Sequence, residues 1–150
     1  MSEAARSQVP LESPASLAWI ERLVAIDTTS RLSNLGLIET VRDYLASRGL
    51  QPWLTYDSAR AKANLFATIP ASNGSLAGGV VLSGHTDVVP VDGQQWSSDP
   101  FAPVVRNGRL FSRGAADMKG FIGCVLTAVP TMLATRLHAP ILAVRAEGWR

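Results

Sequence analysis

The sequence predicts an α/β protein, a mixed sheet flanked by helices in three layers, and three observations predict it. Two amphipathic helical stretches lie near the start, short apolar segments separated by Gly, Ser and Asn follow, and a long apolar helix leads into a last apolar strand. Helices interleaved with apolar strands bury their faces against one another in layers. The composition agrees. Of 150 residues 47% are hydrophobic and 17% charged, and 12 Gly and 9 Pro are spread along the chain, as in one globular domain long enough to enclose a core.

Residues 1–13 lack an apolar period and read as a loose tail, ending at Ser13, which can cap a helix with Pro14 at its first position. In that first helix Leu17, Ile20, Leu23 and Val24 share a face, until Asp27, Thr28, Thr29 and Ser30 favour side-chain bonds to the backbone. Ser33 or Asn34 can cap a second helix, with Leu35, Ile38, Val41 and Leu45 on its apolar face and Gly49 as its stop. The segments "PWLTY", "NLFATI" and "GVVLSG" read as strands, separated by "DSARAK" and the surface loop "ASNGSLAGG". In "VVRNGRLFSR" the Asn107-Gly108 pair marks a tight hairpin. Met118 to Arg136 reads as an apolar helix and "APILAV" as a buried strand.

Charge and composition exclude several classes. Fourteen basic residues against 12 acidic give a net charge of +2 without a basic block, so no nucleic-acid partner is expected. Trp53, Trp96 and Trp149 are spaced irregularly and Trp19 belongs to the first helix, so packing is their expected use. The single cysteine, Cys124, excludes an internal disulfide, and "FIGCVLTAV" suggests a packed thiol in a reducing compartment. The first residues lack the apolar core of a signal peptide, and no apolar run approaches the ~20 residues that span a bilayer. The expectation is a soluble, unprocessed, cytoplasmic protein with no membrane partner.

The candidate chemistry lies between residues 85 and 117. His85 stands one step past the strand "VVLSG", where open α/β sheets form their sites. Asp87, two residues on, points to the same side if the chain stays extended, and a carboxylate there can fix the tautomer of a ligating imidazole. The alternative is a loop histidine bonded to a turn aspartate. Asp117 opens the long helix after a Gly/Ala stretch, either as a site carboxylate or as an ordinary N-cap. His138 precedes the last strand at the opposite end and reads as a helix-end or surface histidine.

The stretches "SGHTDVVPVDGQQWSSDPF" and "GRLFSRGAADMKGF", in this order and at this separation, resemble the two N-terminal signatures of the co-catalytic zinc peptidase and deacylase family. The resemblance runs from about Leu17 to Ala143. It implies that His85 is a ligand of one zinc, that Asp117 bridges two zincs, and that Asp87 serves catalysis by orienting His85. It also implies a cis peptide after Asp117, and two zinc ions, with cobalt as a substitute, that polarise an amide carbonyl and acidify a water. Within the family, "IDTTSRLSNLGLIETVRDYL", "SARAKANLFATI" and "ADMKGFIGCVL" resemble members that cleave N-acetyl-ornithine to ornithine and acetate in arginine biosynthesis. Succinyl-diaminopimelate and a peptide carboxyl end are the related substrates.

The resemblance stops after Ala143. Where the family carries two consecutive glutamates, this chain reads "VRAEGWR", with Glu147 a lone carboxylate. Residues 14–143 are therefore expected to be the N-terminal part of a metal-dependent catalytic domain, and 144–150 a divergent end arising by truncation, divergence or a shifted frame. The family's further ligands, lid and homodimerisation domain have no counterpart here. A noncatalytic fragment that binds one metal weakly or pairs with another chain is the competing expectation.

Overall fold

The computed structural model describes residues 14–147, the last five by their backbone. The expected tail of residues 1–13 with its Ser13 cap, and residues 148–150 of the divergent end, lie outside the described residues.

Helix α1 spans Pro14–Val24 and α2 spans Leu35–Ser47, as their apolar spacing requires. In α1 the buried residues are Ile20, Leu23 and Val24. In α2 they are Leu37, Ile38, Val41 and Leu45, with Leu35 only packed against the edge of the core. Asn34 is the N-cap of α2 by position, yet its side chain makes no capping bond. Past the last turn Gly49 takes a φ of +81° and donates its N–H to the Ala46 carbonyl, the left-handed stop that glycine permits. Helix α3 runs Lys119–Ala134, inside the expected 118–136, because Met118 is its N-cap and Thr135 is already extended.

The main sheet has strands β1 (Trp53–Tyr56), β2 (Ala63–Ile69), β3 (Val80–His85) and β6 (Ile141–Glu147), in the order β1-β2-β6-β3. The pairs β1/β2 and β2/β6 are antiparallel and β3/β6 is parallel, so the sheet is mixed, as expected. The hairpin β4 (Val104–Arg106) and β5 (Arg109–Phe111) turns through Asn107 at φ 51° and Gly108 at φ 68°, the two positive angles a two-residue turn of this kind needs.

In β2 the alternate residues Ala63, Leu65, Ala67 and Ile69 are buried, and they join the buried faces of α1, α2 and α3 in one core cluster. Helix α3 crosses α1 so closely that Gly123 faces the Ile20 backbone.

At the start of β3 Val80 is 59% and Val81 56% exposed, because β3 is an edge of the four-stranded sheet. Two expectations are corrected. Cys124 is exposed rather than packed, its neighbours Ile122, Gly123 and Val125 turning inward instead. The last strand does not stop at Val144 but continues to Glu147, whose backbone lies beside His85 in the ladder.

Candidate active site

The stretch that leaves β3 remains extended, and burial alternates along it. Gly84, Thr86 and Val88 face inward, while His85 and Asp87 face the surface with side chains 37% and 38% exposed. This is the period-two arrangement that puts His85 and Asp87 on one side. A register shift between Leu82 and Ser83, where β6 inserts an extra residue, lies just before it. Beyond His85 the chain pairs on a different partner: Val88 donates its N–H to the Thr28 carbonyl at 3.1 Å and accepts from the Ser30 N–H at 3.0 Å.

The second arm comes from the start of α3. Small residues let it approach: a Cβ on Gly84 would stand 3.2–3.3 Å from side chains of Ile122, Met118 and Phe121, and one on Gly120 only 2.1 Å from the Ala115 carbonyl oxygen. The following residue but one from Asp117, Lys119, is wholly buried and donates through Nζ to the Ile26 carbonyl at 2.6 Å. Burial pushes its ammonium down to about 8, against the opposing pull of Asp27. Asp117 is not the N-cap of α3, since Met118 holds that position and no side chain caps it. Its carboxylate is 85% exposed and turned toward His85, and the Asp117–Met118 peptide is cis, matching the expectation.

The two arms meet. His85 Nε2 is 3.0 Å from Asp117 Oδ1, across 32 residues of sequence. Its Nδ1 is 2.9 Å from the Asp87 carbonyl oxygen and 3.3 Å from the Asp87 carboxylate, so the backbone of Asp87 is the nearer acceptor. Burial pulls the imidazolium down, but the hydrogen bonds to Asp117 and to the Asp87 carbonyl, with the charge of both carboxylates, outweigh it and hold His85 above the ordinary histidine value.

The donor chemistry suits a divalent metal. With Nδ1 engaged by Asp87, Nε2 is the nitrogen that faces Asp117, and on losing its proton it would be the one free to ligate a metal. Two donors each about 2.1 Å from a tetrahedral zinc stand roughly 3.4 Å apart, near the observed separation of these two atoms. Among the described residues, however, no group of three or more His, Cys, Asp or Glu side chains is gathered as a metal would need. His85 and Asp117 thus fit as two donors of a larger set. They line a cleft of about 220 Å³ together with Asp87, Ser112 and Arg113. His138 lies apart, exposed beside Ser72, Asn73 and Arg136.

Sequence reading missed several contributors. Arg113 enters the cleft, stacked 5.0 Å over the Trp96 ring and bonded to Gln94, with its Nε buried and unpartnered. Lys119, Thr28, Asn34 and Thr86 are buried polar residues behind the site. The alternation through "GHTDV" signals that Thr86 turns inward; nothing local signals its partners.

Residues 81–144 match the family model of Peptidase family M20/M25/M40. Acetylornithine deacetylase of Pasteurella multocida (strain Pm70) is 37% identical over 135 residues, 85% of this chain and 34% of that enzyme. The acetylornithine deacetylase of Proteus mirabilis (strain HI4320) is 36% identical over 121 residues, 78% of this chain and 30% of that one. The chain thus spans about a third of the length of the curated relatives it matches. Among solved structures, human carnosine dipeptidase 1 superposes with a TM-score of 0.71 at 23% identity, covering 87% of this chain and 31% of that one. The M20 family metallo-carboxypeptidase Sso-CP2 from Sulfolobus solfataricus gives 0.69 at 24% identity, covering 91% and 31%. At these identities the likeness is one of fold.

Proposed function

We propose that this chain, which matches the Peptidase family M20/M25/M40 model over residues 81–144, is a member of that family, and that residues 14–143 are the N-terminal part of a metal-dependent catalytic domain that removes the acetyl group from N-acetyl-ornithine. The observation that carries the reading is the convergence of His85 Nε2 and Asp117 Oδ1 at 3.0 Å on the outward face of one strand end. The substrate assignment is supported by the two acetylornithine deacetylases, each more than a third identical to this chain.

In this reading His85, with Nδ1–H donated to Asp87 and Nε2 toward Asp117, would hold zinc together with the Asp117 carboxylate. Bound zinc supplies the Lewis acid that polarises the amide carbonyl and lowers the pKa of a water, and cobalt can substitute for it. The remaining donors and the general base come from parts of a longer polypeptide, the relatives being about three times as long. The protein works in the cytoplasm on a small N-acylated amino acid, and the complete form pairs as a homodimer. No helix among the described residues is long and apolar enough to cross a membrane.

A second reading has one observation in its favour: among the described residues no group of three or more ligating side chains is gathered. It makes this chain a noncatalytic fragment that binds one metal weakly. Zinc stoichiometry and acetylornithine hydrolysis separate the two when measured on the purified 150-residue chain, which is expected to be inactive alone, and on the same chain mixed with the separately expressed remainder of an acetylornithine deacetylase. Two zincs with turnover in the mixture support the hydrolase; one weakly bound zinc without turnover in both supports the fragment. Zinc uptake that survives His85→Ala would refute the site in both.

A further inference from the structure

The strand end that presents His85 and Asp87 is fastened from its buried side by polar bonds that have no part in the chemistry itself. Thr86, between them, is fully buried, and its Oγ1 accepts from Asn34 Nδ2 at 3.0 Å. Asn34 is itself clamped to the first residue of β2. Its Nδ2 donates to the Ala63 carbonyl at 2.9 Å and its Oδ1 accepts the Ala63 N–H at 2.9 Å. The Thr86 carbonyl accepts from Thr28 Oγ1 at 2.5 Å, and Thr28 is buried as well. These three side chains tie the site-bearing strand both to the neighbouring sheet and to the segment that joins α1 to α2.

We propose that Asn34, Thr86 and Thr28 form a positioning triad that fixes which way His85 faces. The argument is one of geometry. Along an extended chain, a residue locked inward forces its two neighbours outward, and a one-residue slip reverses them all. Turned inward, Thr86 Oγ1 accepts from the buried Asn34 amide, and a slip would take that acceptor away from a buried donor, which is costly, so the inward setting is preferred. The ladder to β6 ends at His85, so past that point these bonds, with the pairing of Val88 on Thr28 and Ser30, are what hold the direction. The strands alone would leave the ring of His85 at a frayed end. The inference rests on the metal-site reading only for its use; the orientation itself exists without metal.

The test has a metal-free arm and a metal arm, both on the 150-residue chain. Thr86→Val keeps the shape of the side chain and removes the acceptor for Asn34. Gly123→Ala is the control that perturbs stability while leaving the bonds of Thr86, Asn34 and Thr28 in place. In the metal-free arm, the ring nitrogen NMR shifts of His85 report whether Nδ1 still bonds to Asp87 and Nε2 still meets Asp117. They are expected to collapse toward those of a solvent-averaged histidine in Thr86→Val, to remain in Gly123→Ala, and to return in Thr86→Ser. In the metal arm, Zn²⁺ affinity measured against a chromophoric chelator should fall on the order of tenfold in Thr86→Val and recover in Thr86→Ser, in line with other residues that orient ligands.

Unchanged His85 shifts in a folded Thr86→Val overturn the proposal. If Thr86→Val does not fold, Thr28→Val, which removes a single bond, is read in its place by the same criteria. Wild-type chain that takes up no Zn²⁺ sinks the metal reading alone, and the metal-free arm still decides the positioning role.

Discussion

Helix α3 lies against α1 at Gly123, and replacing that glycine by alanine tests the packing of the whole helical layer. In the middle of a helix, glycine costs about 0.5–1 kcal/mol relative to alanine, so Gly123→Ala in open space would stabilise the protein. The space is not open. The new Cβ would stand 2.7 Å from Ile20 Cγ1, 3.1 Å from the Ile20 nitrogen and 3.3 Å from its Cα. The Ile20 Cγ1 methylene can give only by leaving its rotamer, and the two backbone atoms move only if α1 moves. Forcing a methyl into a packed core costs typically 1–3 kcal/mol. The clash therefore exceeds the propensity gain, and the net expectation is a loss of about 1–2 kcal/mol, which at this length lowers Tm by roughly 2–8 °C. Gly36→Ala in α2 is the matched control, because its nearest neighbour would be Ile26 Cγ2 at 3.9 Å, an ordinary contact. It should be neutral or slightly stabilising. Thermal and urea unfolding followed by circular dichroism measure both. A Gly123→Ala chain as stable as Gly36→Ala would refute the close crossing of α1 and α3.

Two further outcomes follow from local geometry. Cys124 is exposed on α3, so it should react with a coloured disulfide reagent in native buffer nearly as fast as in denaturant; strong protection in the native state would restore the packed-thiol reading. Asp57 accepts the N–H groups of Ala61 at 2.7 Å and Lys62 at 2.9 Å through one oxygen, closing the β1–β2 turn, so Asp57→Ala should cost about 1 kcal/mol in urea unfolding, and no loss would show the turn to be held by its backbone alone.

What was legible in the sequence is what is decided locally. The apolar spacing of α1 and α2 marked both helices because one stripe must face a core, and Asn107-Gly108 marked the hairpin because its turn needs two positive φ angles. The errors have a common cause. Leu37 rather than Leu35 is at the centre of the α2 face, a choice between residues 200° apart on the helix that only the partner surface makes. The exposure of Val80 and Val81 is not legible from their apolar type, because it depends on strand order, and β3 is an edge. Cys124 lies on a helix apolar nearly all round, where periodicity gives no phase.

The site divides in the same way. That His85 and Asp87 share a side follows from period two, and is visible in "HTD". That Asp117 meets His85 rather than capping α3 depends on how near α3 comes to the strand end, set by Gly84 and Gly120 packing without side chains. The residues that hold this arrangement, Asn34, Thr86, Thr28 and Lys119, look in sequence like a cap, two loop hydroxyls and a surface cation; burial alone reveals their work. Their number bears on the metal. A zinc in a catalytic site takes about three protein donors, so a bridged pair needs roughly five, whereas the described residues bring two together and surround them with buried polar groups, Asn34, Thr86, Thr28 and Lys119. Such rigidity brings little to a pair of exposed side chains acting alone. It is useful where further donors must meet these two at a set distance, which is the argument for placing this chain as one wall of a larger metal site.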